Sequence, residues 1–308
     1  MQRRTTRRRA PEQSGKLFGG LGASDTRAAY GLLAPFLLFF ALFVLYPVGK
    51  NLYYSFTNYN LTHAPSWVGL RNYERLLRDT VFLRALGNTA WYALISVCRL
   101  MLGGLAAAAA LNRPVRWMRG LRALTLYPYA TSMTAVSMIW LLLLDPLNGY
   151  LNKLLLTVGL PAQPWLFSKT QALGCLIFVN VWKNLGYCML ILLAGLQNID
   201  PALYEAARVD GANEWQQLRR ITLPALSPVM LFVLVNCTIE SFKTFEQVQI
   251  MTRGDPLHAT TTLVHQIYLR GFSEYKMGYA AAMSVVLLVV LMIATAVNFH
   301  MTPREVSE

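Results

Sequence analysis

Charge is scarce in this 308-residue chain: Asp, Glu, Lys and Arg make up 14% of it, against roughly 25% in soluble domains. Acid is scarcest, with 15 acidic residues against 28 basic ones and a formal net charge of +13. Hydrophobic residues account for 55% of the chain and the mean hydropathy is +0.38, which argues against an ordinary soluble enzyme. The four histidines (His63, His258, His265, His300) and four cysteines (Cys98, Cys175, Cys188, Cys237) are scattered. That leaves no disulfide framework, no zinc site and no clustered ligands for an integral-membrane enzyme. All four cysteines fall in apolar stretches, as small buried hydrophobes do. A phosphate-binding G-x-x-x-x-G-K-[ST] loop is missing as well, because the Gly-Lys pairs at 15–16 and 49–50 lack the rest of that pattern. The chain is therefore expected to bind no cofactor, no nucleotide and no metal of its own. Its basic start lacks the small-residue cleavage site of a signal peptide.

Long apolar runs are what the chain does have. A membrane-spanning helix needs roughly 20 mostly apolar residues. Ala28–Gly49, Ala123–Leu144, Ile221–Ile239 and Met277–Pro303 each supply such a run without a charge. Two more are interrupted by a single cation, Arg99 or Lys183. The expectation is an all-α, polytopic membrane protein. A basic tail (1–27) precedes a six-helix domain (28–303), and a short tail (304–308) follows it. The spans are placed at about 28–49, 88–111, 123–144, 170–196, 221–239 and 278–300, with a connecting loop at 197–220.

Six spans put both termini on one side. With that side cytoplasmic, the inner segments carry fifteen Lys/Arg and the outer loops eleven, and Arg113–Arg122 packs four arginines without an acid. The positive-inside rule favours cytoplasmic termini. Arg3, Arg4, Arg7, Arg8 and Arg9 read as a topology-setting tail beside anionic lipid. They do not read as a nucleic-acid site, since no aromatics interleave them. Gly103, Gly104 and Ala106–Ala110 make a smooth helix face suited to close packing. Leu70–Leu86 has the spacing of an amphipathic surface helix.

The connection between the fourth and fifth spans is more structured than a linker requires. Asp200 can cap a helix that opens on Pro201, and Gly211 can end it with a left-handed turn. Asn213 with Gln216 can start a second helix. Ala206 and Ala207 present a flat surface, with Glu205 and Asp210 on its rim. From these residues alone, two interfacial helices with solvated charges remain an equal reading.

The run Glu205-Ala206-Ala207-x-x-Asp210-Gly211-Ala212, followed by Ile221-Thr222-Leu223-Pro224, resembles the EAA signature of permease subunits of bacterial ABC importers. Trp67–Tyr73, Asn148–Asn152, Val181–Lys183, Ala194–Gln197 and Gly278–Ala282 narrow the likeness to carbohydrate-importer permeases of the MalF- or UgpA-like type. It covers about residues 28 to 300. The resemblance implies a type I importer permease fold in the bacterial plasma membrane. Its implied partners are a second permease, two cytoplasmic ATPase subunits that use ATP and Mg, and an extracytoplasmic substrate-binding protein. It also implies that the 197–220 loop is a coupling helix. Glu205 would pair with a basic residue of the ATPase, Ala206 and Ala207 would make close contact, Asp210 would sit on the rim and Gly211 would make the turn.

A polar solute needs polar side chains facing a cavity, because such groups are costly against lipid. Asn180, Lys183, Asn184 and Tyr187 recur on one face of the fourth span. Glu240, Ser241 and Thr244 lie near the end of the fifth, with Asn236, Lys243 and Gln247 around them. These are the candidate pathway residues, and for any one of them an interhelical hydrogen bond without ligand contact serves equally. Arg99 breaks the apolar pattern of the second span and is expected to be paired, with Glu240 the conceivable partner. Met251–Pro256 and His258–Thr262 are expected to face the binding protein. A self-sufficient secondary transporter is the alternative. It calls for internal repeats and an intramembrane carboxylate relay; no repeat is visible, and Glu240 is placed at a span boundary. Oligosaccharide, monosaccharide and glycerol 3-phosphate all fit the family.

Overall fold

The computed structural model describes residues 23–112 and 115–301. The tail arginines 3, 4, 7, 8 and 9, the C-terminal tail 304–308 and Arg113 lie outside them. The described residues up to Lys50 form one compact unit and those from Asn51 onward a second. In the first unit, α1 (Ala23–Phe40) passes through a wide five-residue turn, Ala41–Leu45, into α2 (Tyr46–Ser55), whose last turn belongs to the second unit. Phe36 stacks on Phe40 and Phe39 on Phe43, as four-residue helical spacing dictates. Within this unit the side chains from Tyr30 to Lys50 are exposed, and most of them are apolar.

In the second unit, α3 (Arg71–Arg78) stops at Asp79 and α4 (Thr80–Leu111) begins. Asp79 has extended backbone, and its carboxylate accepts from the amides of Val81 and Phe82 at 2.9 and 3.2 Å, which satisfies the free N–H groups of the α4 start. The stretch Leu70–Leu86 is therefore two elements rather than one amphipathic helix. Its second half opens the long span, eight residues before the expected start at 88.

The span expected at 123–144 is a bent pair. α5 (Arg116–Ala130) and α6 (Met133–Leu143) meet at 96°. Pro128 lies in the last turn of α5, where it removes a helical N–H, and Thr131 and Ser132 are not helical. α7 (Tyr150–Thr157) is a short connector, and α8 (Ala172–Gln197) is the fourth long helix.

After the loop helices α9 (Pro201–Val209) and α10 (Glu214–Gln217), a helical course leads into α11 (Leu223–Phe242). It breaks briefly at Lys243–Phe245 and resumes as α12 (Glu246–Met251). The whole stretch Glu214–Met251 has the length and apolarity of one span. Glu240 lies in the last turn of α11, directly before that break. The short α13 (Leu263–Tyr268) precedes α14 (Met277–Met301).

The core lies where α4, α8 and α11 meet. Leu100 and Ala108 of α4, Cys188, Met189 and Leu192 of α8, and Leu226 and Val233 of α11 are buried together. Gly103 and Gly104 pack on Leu185 and Cys188, so the smooth face does meet a helix. Gly186 permits a closer approach: a Cβ there would fall 2.1 Å from the Thr125 carbonyl oxygen and 2.7 Å from the Leu126 Cα. The backbones of α8 and α5 touch at that point, beside the candidate site. A second cluster, with Tyr92, Val136, Leu176 and Val248, joins α4, α6, α8 and α12.

Candidate functional site

The loop between α8 and α11 is held by local bonds of three kinds. Asp200 accepts from the Ala202 amide at 2.9 Å and Pro201 opens α9. At the far end the Gly211 amide donates to the Arg208 carbonyl at 3.1 Å, and the Ala212 amide to Ala207 at 2.9 Å. This pair of bonds is the Schellman closure, and Gly211 supplies its left-handed residue at φ +76°. Asn213 and Gln216 then exchange two bonds of 2.9 Å, a reciprocal capping box that starts α10. Tyr204 Oη lies 2.9 Å from Thr222 Oγ1, pinning α9 to the helical course entering α11.

Glu205, Ala206, Asp210 and Gly211 are exposed on this loop and Ala207 is half-buried. The structure adds three residues that sequence reasoning passed over. Leu203, Val209 (89% exposed) and Trp215 are apolar yet open to solvent on the same loop. Apolar exposure of this kind marks a contact surface. Val209 directly before Asp210-Gly211, and Trp215 two residues past Asn213, were the available signals.

All seven candidate pathway residues line one cavity of about 820 Å³: Asn180, Lys183, Asn184, Tyr187, Glu240, Ser241 and Thr244. The 3.6-residue period puts the first four on one face of α8. The bend of α5 brings in Tyr129, which no sequence pattern singled out. Its ring stacks on Tyr187 with centroids 4.8 Å apart. Lys183 is buried; its Nζ donates to the Tyr129 carbonyl at 3.1 Å and lies 5.2 Å from the centre of that ring. Asn184 donates to the backbone and side-chain oxygens of Asn180 at 3.0 and 2.9 Å. Glu240 pairs with Lys243 at 3.1 Å. Phe245, Glu246 and Gln247 close the wall, and Gln247 bonds to the Tyr92 hydroxyl and to Thr244.

Two expectations are corrected. Arg99 is exposed on α4 and has no ion-pair partner among the described residues, since Glu240 is taken by its helical neighbour Lys243. The second concerns the run His258–Thr262, which is not a surface throughout, because Thr260, Thr261 and Thr262 are fully buried. Thr262 donates to the Thr244 carbonyl at 3.0 Å, while Asn88 of α4 donates to the carbonyls of His258 and Thr261 at 3.0 Å each. His265 bonds Gln249 at 2.9 Å, and burial pulls its pKa below the usual imidazole range. The exposed tip is reduced to Arg253, Asp255, Leu257 and His258.

Residues 99–306 match the family described as binding-protein-dependent transport system inner membrane component. The chain is 37% identical over 280 residues to the probable ABC transporter permease protein YesP of Bacillus subtilis (strain 168), covering 89% of this chain and 90% of that one. It is 33% identical over 281 residues to the sn-glycerol-3-phosphate transport system permease protein UgpA of Salmonella typhimurium, covering 90% and 94%. A crystal structure of a bacterial ABC transporter involved in the import of the acidic polysaccharide alginate contains a chain of the same fold. There the TM-score is 0.77 at 25% identity, over 91% of this chain and 98% of that one. With its helices long enough to cross a bilayer and a polar cavity between them, the chain belongs to the binding-protein-dependent transport system inner membrane component family, the permeases of ABC importers.

Proposed function

We propose that this chain is one of two permeases that together form the pathway for a sugar or polyol derivative, with both its termini in the cytoplasm of a bacterial cell. An extracytoplasmic binding protein delivers the solute. Two cytoplasmic ATPase subunits bind ATP and Mg and supply the work; this chain binds no cofactor. The loop 197–220 docks on an ATPase subunit. In that contact Glu205 pairs with a basic residue, Ala206 and Ala207 allow close approach, and Asp210 sits at the rim. Leu203, Val209 and Trp215 add apolar contact, and Gly211 holds the shape. Asn180, Lys183, Asn184, Tyr187, Glu240, Ser241 and Thr244 form this chain's share of the pathway.

One observation carries the reading: the cavity is walled by α8 and α11, the two helices that the rigid loop connects. A displacement of the loop is thereby passed to both walls. The test is to tag the chain, purify it in mild detergent and identify the co-purifying subunits by mass spectrometry, with Gly211→Pro as control. The expected result is a second permease and an ATPase, with the ATPase lost in the control. A chain that purifies alone and transports in liposomes without ATP would overturn the proposal.

A further inference from the structure

The charge lining the cavity sums to zero. Two cations, Lys183 and Lys243, face two anions, Glu240 and Glu246, and no arginine is among the lining residues. Each cation already has a partner within the chain. Lys243 is engaged by Glu240 at 3.1 Å, and buried Lys183 is spent on the carbonyl and ring of Tyr129. The exposed Glu246 is the remaining charged wall residue, and the uncharged polar ones are Asn180, Asn184, Asn236, Ser241 and Thr244, beside the stacked tyrosines. Phosphate or carboxylate recognition calls for a free cation, best an arginine fork. Hydroxyl groups need paired donors and acceptors, which amides and hydroxyls supply, and the apolar face of a sugar ring suits an aromatic wall.

We infer that the cargo is an uncharged sugar or polyol, unlike the glycerol phosphate and alginate for which two relatives are named, and that Glu240 is a specificity-determining residue that keeps the cavity neutral by holding Lys243. The inference rests on the cavity being the pathway, as proposed above. It follows that removing the Glu240 charge creates an anion-attracting site where none existed.

The potential in the cavity can be read without knowing the cargo. In the assembled importer, with Cys98, Cys175, Cys188 and Cys237 replaced by alanine, Asn184→Cys is reacted with negatively and positively charged methanethiosulfonates of similar size. Thr244→Cys serves as a second position should the first fail to assemble. The expected ratio of the two rates, normalised to a free thiol, lies within about threefold of one, and Glu240→Gln raises the anionic rate about threefold to fivefold, as one unit charge a few ångström away does in a wet site. A wild-type ratio favouring the anionic reagent more than tenfold, or no change in Glu240→Gln, would overturn the inference while leaving the pathway reading intact. Failure of both cysteines to react in a complex that still transports would sink the pathway reading itself, and the inference with it.

Discussion

Adding one methyl group to either of two glycines should move stability in opposite directions. Gly87 lies inside α4, and a Cβ there meets nothing within 4 Å. Gly87→Ala therefore keeps only the propensity gain, about 0.5–1 kcal/mol in a helix interior. Gly186 carries the same propensity term, but its Cβ would sit 2.1 Å from the Thr125 oxygen, where ordinary contact begins at 3.4 Å. The deficit is about 1.3 Å and falls on backbone, with no flexible side chain to turn aside. Either α5 or α8 has to move. Overpacking typically costs about 1–3 kcal/mol, and rigid backbone puts this case at the upper end, so a net loss of about 2–2.5 kcal/mol is expected in Gly186→Ala. The move also drags Tyr129, one turn beyond Thr125, away from Tyr187 in the cavity wall. Heating the purified complex and following its elution by fluorescence-detected size exclusion should show Gly87→Ala melting at or above the wild-type temperature and Gly186→Ala below it. Equal melting of wild type and Gly186→Ala would refute the close contact between α5 and α8.

Three further outcomes follow from single contacts. Gly211→Ala meets no atom within 4 Å, so its cost is the left-handed backbone alone, about 1 kcal/mol. The ATPase should stay largely bound in that variant and be lost in Gly211→Pro, which also removes the N–H given to Arg208, as measured by the ATPase recovered per permease. Asp79 loses some acidity to burial, but bonds from Tyr279 and the Phe82 and Val81 amides, with the Arg270 charge, outweigh this and hold its pKa below the usual carboxylate range. A lowered carboxylate stabilises fully above its ordinary pKa and loses that contribution as pH falls through the folded-state value. The melting gap between wild type and Asp79→Asn should thus be constant at neutral pH and close only below about pH 4; a gap closing near neutrality would contradict this. Cys188 and Cys237 Sγ lie 3.2 Å apart between α8 and α11, so copper-phenanthroline oxidation should join their peptides within one chain. A mass spectrum without that pair would mean that the two helices are further apart.

What could be read from the residues alone was whatever rests on local chemistry. Run length and charge mark the long helices, and the turn at Gly211 is spelled out by Asp200, Pro201, Asn213 and Gln216 within a few residues of where each acts. The face shared by Asn180, Lys183, Asn184 and Tyr187 is a matter of period. The features that escaped depend on partners far along the chain. The Asp79 carboxylate, besides its local cap, also accepts from the Tyr279 hydroxyl, 200 positions away. Thr261 and Thr262 are polar in composition but buried, since Asn88 donates to the Thr261 carbonyl and the Thr244 carbonyl accepts from the Thr262 hydroxyl. An apolar run such as 123–144 looks the same straight or bent, so Tyr129 could not be assigned to the cavity before the 96° angle was known.

Glu240 shows how this limit bears on function. A charge ends an apolar run on paper, which put the edge of the fifth span at Ile239. In the fold α11 runs only three residues further, to Phe242; Lys243 follows and pairs with Glu240, and the cavity leaves each side chain more than half of its surface open. Exposure of that order makes the pair weak as a stabilising element. Its expected effect is on what may enter: Glu240→Gln should leave melting within about 0.5 kcal/mol of wild type while changing the reagent preference of the cavity. A variant that instead loses assembly would show the pair to be part of the scaffold rather than of the pathway.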